Sequence, residues 1–297
     1  MIVGRIVFCL GALLLLHGSL EAQPQQAATW AAQALNDYRV VPNVTYVTAN
    51  NWEGTLDLYV RRDITDPVPV VIHIHGGGWV GGTKEGDVLA LLPYLEMRLA
   101  VVNVEYRLGR VSPAPAAVED CRCALQWVIQ HAKEYRFDTS RIVLTGGSAG
   151  GHLALTTGML PSSAGLDRQC RSSGELGVAG IINWYGITDV ADLLDGPNMK
   201  DYAVRWFGSM EDRMAVAKRV SPLTYVRAGL PPIMTIHGDK DGVVPYSHAV
   251  RLHLELDGAG VVNRLFTVTG GGHGGFSNEE RVKIYEAIRD FLEQLVQ

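Results

Sequence analysis

Six short runs of nearly unbroken apolar residues set the strongest limit on how this chain can fold: Val70–Ile74, Ala100–Val104, Ile142–Thr145, Val178–Trp184, Ile233–Ile236 and Leu265–Val268. Strands that are apolar on successive residues are buried on both faces, as in a parallel sheet covered by helices on each side. Helical periods fall between them. Pro115–His131 repeats Val118, Cys121, Leu125, Val128 and Ile129 at helical spacing, and His248–Leu256 and Arg281–Val296 supply two more helices. Two earlier strands, Val44–Ala49 and Thr55–Val60, flank a turn at Asn50-Asn51-Trp52-Glu53-Gly54. The alternation predicts an α/β chain with a mostly parallel central sheet and ligands at the strand C-terminal ends. Between Thr188 and Leu230 the rhythm stops, leaving short helical pieces rich in Asp, Met, Tyr and Trp. An insertion over 188–230 is expected to sit across the strand ends as a partial lid.

Residues 1–22 read as an address rather than as structure. One early charge, Arg5, precedes an apolar stretch to Leu16, and the small residues Gly18, Ser19 and Ala22 follow. This is the pattern of a secretory signal peptide cleaved near Ala22, with an uncleaved anchor as the alternative. The rest, 23–297, is expected to form one domain, secreted or periplasmic. With 47% hydrophobic residues the chain can build a large core. Its net charge of −5 is dispersed without a basic run, so neither nucleic acid nor an anionic membrane surface is an expected partner. Of the cysteines beyond the leader, Cys170 is expected to bond Cys121 or Cys123, since Cys-x-Cys on a helix points the two thiols to different faces. Three free thiols are the alternative.

Three motifs fall at strand ends. Gly146-Gly147-Ser148-Ala149-Gly150 directly follows the strand 142–145 and opens a helix. That context is what a nucleophile elbow requires: glycines relieve a turn too tight for side chains, and Ser148 stands exposed beside a helix N-terminus. The bland reading is a tight turn whose serine caps the helix. His75-Gly76-Gly77-Gly78-Trp79 follows the strand 70–74. Successive glycines let backbone amides approach a substrate carbonyl, so Gly77 and Gly78, with Ala149, are candidates for an oxyanion hole. His75 is expected to brace this loop rather than act as a base, and His73 to be structural. The third motif is a pair in the order acid, then histidine. Asp241 lies in His237-Gly238-Asp239-Lys240-Asp241, and His273 in Gly270-Gly271-Gly272-His273-Gly274-Gly275-Phe276. A glycine-flanked histidine suits a base that moves a proton to and from Ser148, with a carboxylate fixing its tautomer. Asp241 lies deeper in its loop and is preferred over Asp239, which is expected to tie the turn. His152 reads as packed, and His131, His248 and His253 as surface or satisfied core residues. No metal or cofactor is implied. Trp79, Trp184, Tyr185, Tyr202 and Trp206 are candidates to line a site for an aromatic acyl group or a sugar ring, with core packing as the equal alternative.

These residues resemble the α/β-hydrolase superfamily, and within it serine esterases with a His-Gly-Gly-Gly-Trp motif, the bacterial acetyl xylan and feruloyl esterase-like group more than the hormone-sensitive lipase-like group. The similarity spans roughly 44–296 and includes Val102–Leu108 and Pro115–Asp120. It implies an α/β-hydrolase fold, a triad of Ser148, Asp241 and His273, and an oxyanion hole of Gly77, Gly78 and Ala149. It implies a carboxylesterase acting on a small-molecule or carbohydrate ester. A long N-terminal cap, carried by the hormone-sensitive lipase-like relatives, is absent from the pattern, because only about 20 residues (23–43) separate the leader from the first strand. Lipid-sized acyl groups are therefore less expected. A peptidase-like or acylaminoacyl hydrolase and a catalytically inactive binding module remain the alternatives, and oligomeric state is not legible.

Overall fold

The structure, a computed structural model, describes residues 29–170 and 176–295. The expected leader over 1–22 lies outside them. Eight strands form one sheet: β1 (Tyr38–Ala49), β2 (Trp52–Arg61), β3 (Val68–Ile74), β4 (Ala100–Val104), β5 (Phe137–Gly147), β6 (Gly180–Trp184), β7 (Ile233–Gly238) and β8 (Asn263–Val268). Their spatial order is β1-β2-β4-β3-β5-β6-β7-β8. The first hairpin and the β2–β4 pair are antiparallel, and every pair from β4 through β8 is parallel. All six apolar runs are strands. β1 begins earlier than the apolar pattern because Tyr38–Val41 pair with β2, and β5 because Phe137 pairs with Val68; the polar Asp138–Arg141 stay unpaired with β3 before pairing resumes at Ile142.

Period-two alternation sends successive side chains to opposite layers. On β3, Val70, Ile72 and Ile74 join one core while Val71 joins the other. β4 divides likewise, with Val101 facing the opposite side from Ala100, Val102 and Val104. The larger core lies under α1 (Ala116–Gln130) and α2 (Ala149–Met159). The smaller lies under the C-terminal helix (Asn278–Leu295), whose Ile284, Ala287, Ile288 and Phe291 form one buried stripe. Burying each of the large members contributes about 1.5–3 kcal/mol. A capping box starts that helix: Ser277 Oγ accepts from Glu280 N at 3.2 Å, and Glu280 Oε2 accepts from Ser277 N at 2.7 Å.

The insertion consists of short helices, α3 (Asp201–Phe207) and α4 (Arg213–Arg219), and single 3-10 turns. It is pinned to α5 (Ser247–Gly258) through buried His248, which accepts from Thr188 N at 3.1 Å on Nδ1 and contacts Asp192 Oδ2 at 3.0 Å through Nε2. Cys123 is bonded to Cys170, with their Cα atoms 5.4 Å apart, tying α1 to the segment after α2. Cys121 is buried and unbonded on another face of the same helix. Among the described residues no helix is long and apolar enough to cross a membrane.

Candidate active site

The register explains why the glycine loop and Ser148 emerge together. Ile74, the last residue of β3, sits opposite Gly146 on neighbouring β5. The two chains turn out of the sheet side by side, so tightly that a Cβ on Gly146 would lie 2.4 Å from Ile74 O, and one on Gly150 would lie 2.0 Å from the same oxygen. That contact, more than the turn itself, demands glycine at both positions. Ser148 takes φ 57°, ψ −119°, a strained geometry for a non-glycine residue, and its N–H donates to Trp184 O at 2.9 Å. The strain lifts its side chain above the sheet at the N-terminus of α2, where the first amides have no partner within the helix.

The loop 75–79 is held from behind. His75 stacks on Tyr106 with ring centroids 4.3 Å apart, and its two nitrogens face Gly76 O at 2.7 Å and Glu105 Oε1 at 3.2 Å. Glu105 also accepts from Lys84 N at 3.0 Å. With acceptors on both sides, neither ring nitrogen of His75 is free to receive a proton from Ser148. Buried His73 contacts Asn103 Oδ1 at 3.2 Å. Gly77 and Gly78 have φ +110° and +59°, and among the described residues no protein acceptor takes their amides. Together with Ala149 N at the start of α2, these donors can receive a developing oxyanion.

The loops after β7 and β8 carry the acid and the histidine. His273 Nδ1 lies 2.7 Å from Asp241 Oδ2. Asp241 Oδ1 accepts from Val243 N at 2.8 Å and Val244 N at 2.9 Å, and His237 Nε2 approaches Oδ2 at 3.1 Å. Burial pushes this carboxyl upward, but hydrogen bonds from His237, His273 and Val244 outweigh it and hold the group well below the ordinary carboxylate range. Asp239 serves the turn: its Oδ1 accepts from Gly270 N at 2.7 Å and so links the two loops. His273 stands at the tip of a tight bend closed by a Gly272–Gly274 bridge, against Tyr185 at 4.6 Å between ring centroids.

Ser148 and His273 share the wall of one open cavity of about 610 Å³, together with Gly76–Gly78, Asp87, Tyr185, Tyr202, Arg205 and Val243. The structure draws the Asp241–His273 hydrogen bond but none between His273 and the Ser148 hydroxyl; such bonds often tighten only when substrate is bound. A smaller cavity of about 140 Å³ adjoins it, sharing Asp87, Gly147 and Tyr185 and reaching Trp184 and Tyr285. Burial pushes the Tyr185 hydroxyl up to about 12, so it is a neutral donor at working pH.

The aromatic candidates divide. Tyr185 and Tyr202 line the main cavity and Trp184 the smaller one. Trp79 and Trp206 line neither: both are fully buried and stack on each other at 4.2 Å. Trp79 adopts φ 60°, which turns its indole out of the glycine loop and into the core, where Nε1 donates to His152 Nδ1 at 3.1 Å. His152 is the packed residue the sequence suggests, its other nitrogen 2.7 Å from Val220 O, and burial pulls it down to about 4. His237 carries no mark in the sequence that assigns it a role, although it stands in the same motif as Asp241. Asp87 and Arg205 likewise carry no local signal and reach the cavity through the placement of their helices. Among the described residues no cluster of three or more His, Cys, Asp or Glu could hold a metal ion.

A model of the BD-FAE family matches residues 56–256. The chain belongs to that family. Among solved structures, this BD-FAE chain is similar to a truncated carbohydrate esterase from gut microbiota (26% identity, TM-score 0.74, covering 88% of this chain and 97% of that one). It is also similar to esterase 2 of Thermogutta terrifontis with propionate bound (25% identity, TM-score 0.72, 90% and 97%). The sheet and its flanking helices match the α/β-hydrolase fold of these neighbours. Esterase LipQ of Mycobacterium tuberculosis is 27% identical, over 81% of this chain and 59% of its own length. The carboxylic ester hydrolase LipM of the same organism, named as probable, is 31% identical over 65% and 46%. The chain thus spans about half the length of the curated relatives it matches.

Proposed function

We propose that this chain is an exported serine carboxylesterase that cleaves short-chain, carbohydrate-linked or aromatic carboxylic esters by way of an acyl-enzyme. The observation carrying the reading is the His273–Asp241 hydrogen bond on the same cavity wall as Ser148. His273 Nε2 takes the Ser148 proton as Oγ attacks the ester carbonyl, and the oxyanion rests on the amides of Gly77, Gly78 and Ala149. As the tetrahedral intermediate collapses, His273 gives that proton to the departing alcohol. Water, deprotonated by the same ring, then releases the acid and restores Ser148. Asp241 holds Nδ1–H and stabilises the imidazolium between the two transfers.

The cavity's lining favours a polar alcohol. Tyr185, Tyr202, Arg205 and Asp87 give it aromatic faces and hydrogen-bonding ends of the kind a sugar engages. The names of the neighbours, a carbohydrate esterase and an esterase holding propionate, agree with this choice. Export is read from residues 1–22 alone.

The test is Ser148→Ala with short p-nitrophenyl esters, acetylated xylan, feruloyl esters and p-nitroanilides. Ester turnover should fall by about 10⁴-fold or more with the fold intact. Turnover within tenfold of the parent would sink the assignment, and a parent enzyme preferring anilides would make the chain a peptidase instead. A sarin-phosphonylated form of the Thermogutta esterase is known; an organophosphonate should likewise label Ser148 here and leave Ser148→Ala unlabelled.

A further inference from the structure

Strand β7 ends close to His237, whose side chain is 0% exposed. Its Nε2 lies 3.1 Å from Val244 O and 3.1 Å from Asp241 Oδ2. Both neighbours are acceptors, so Nε2 carries the proton and donates between them. Nδ1 is buried and, among the described residues, has no hydrogen-bond partner. A proton there would find no acceptor, and the bare lone pair is itself a standing cost to the fold. Tyr246 and Tyr185 pack edge-on against the ring, at 5.6 and 6.5 Å between centroids, and need only an apolar surface. A leucine would satisfy that packing without stranding a nitrogen, so the reason for histidine lies on the Nε2 side.

That side completes the acid. Oδ1 of Asp241 holds two backbone amides, and Oδ2 holds His273 and His237: four donors on the four acceptor positions a carboxylate offers. The two donors on Oδ2 share its charge. The other titratable groups around the pair are Tyr185 from the end of β6, Tyr246 from the turn into α5 and Tyr202 from α3, with Asp87 and Arg281 beside Tyr185. Lys200 Nζ donates to Gly242 O in the Asp241 loop at 3.0 Å.

We propose that His237 is a positioning residue for the acid: through Nε2–H it fixes the Asp241 carboxylate in the orientation that meets His273 and tempers the charge the imidazole feels. The proposal rests on Ser148, His273 and Asp241 acting together as described above. Removing the donor leaves Oδ2 more negative, which favours the imidazolium and moves the acid limb of kcat/KM to higher pH.

The experiment compares pH profiles of kcat/KM for p-nitrophenyl acetate in the parent, His237→Leu, His237→Gln and Asp241→Asn, with folding checked by near-UV circular dichroism and thermal unfolding. Leucine keeps comparable bulk and removes the donor, whereas the glutamine amide reaches the position of Nε2 and restores it. The leucine variant should shift the acid limb up by about half to one pH unit and lower the plateau about tenfold, and the glutamine variant should return the limb close to the parent. A folded leucine variant whose acid limb stays put or moves down overturns the proposal. If leucine does not fold, His237→Asn, too short to reach Oδ2, takes its place. Asp241→Asn separates the two readings. Should it retain activity within tenfold, the acid assignment fails; should it be crippled while the leucine limb does not move, only the role of His237 fails.

Discussion

Replacing Asp241 by asparagine exchanges one acceptor oxygen for an NH2 group in a site where both oxygens are fully used. The amide has two orientations, and each sets the NH2 against two donors. If it faces the backbone, the amides of Val243 and Val244, now 2.8 and 2.9 Å from Oδ1, lose their acceptor and cannot turn away. If it faces His273 and His237, His237 keeps Val244 O at 3.1 Å as its acceptor, and the His273 imidazole can respond by moving its proton from Nδ1 to Nε2. The second orientation therefore wins. It is also the one that disables the base, since a protonated Nε2 has no lone pair for the Ser148 hydroxyl. The expected fall in kcat is about 10⁴-fold, the penalty for a wrongly protonated triad histidine, equivalent to roughly 5.5 kcal/mol at 1.36 kcal/mol per decade. Steady-state hydrolysis of p-nitrophenyl acetate measures it, with circular dichroism to show that the loops remain folded. A well-folded variant that turns over within tenfold of the parent would refute both the tautomer argument and the choice of Asp241.

The Cys123–Cys170 bond closes a loop of 47 residues, which by chain entropy alone stabilises the fold by about 4 kcal/mol. Reduction should lower the melting temperature by roughly 6–7 °C, and an unchanged transition in dithiothreitol would contradict the bond's role. Trp206→Ala should cost about 3–5 kcal/mol in urea unfolding, because the indole fills core; an equally stable variant with weakened substrate affinity would return Trp206 to the site. Asp241 is held below its ordinary range in the folded chain, so its contribution is complete above the unfolded value near pH 4 and fades as acid approaches the lowered one. Urea titrations below about pH 4 should thus show the parent losing stability more steeply than Asp241→Asn, and parallel curves would argue against it.

What the chain reveals before folding depends on whether the signal is local. The six apolar strands were legible because burial on both faces leaves no room for polar residues, and the glycine motifs because a backbone close approach admits little else. Strand ends were less so: Asp138–Arg141 extend β5 with polar side chains that carry no periodic mark. The same holds for Lys84, buried with its ammonium 2.7 Å from Asp57 Oδ1 on β2, a partner 27 residues away in the chain that no local pattern announces. Aromatic type alone did not separate Trp79 and Trp206 from Tyr185 and Tyr202. The φ of Trp79 and the seat of α3 decide which rings face the cavity. Cys121 and Cys123 were equal candidates in sequence because only the three-dimensional position of Cys170 tells the two helix faces apart.

The absence of space for a Cβ at Gly146 and Gly150 divides the site by how freely it can vary. Its floor, where two backbones lie against each other, leaves evolution or a mutant library no side chain to exchange. Its rim is different: Tyr202 and Arg205 stand on a short helix that could be re-sized, and Val243 on a turn. Campaigns to retune substrate choice should therefore randomise α3 and the turn at 243 and leave the glycines alone, and natural divergence in preference among such chains should be written in the same places.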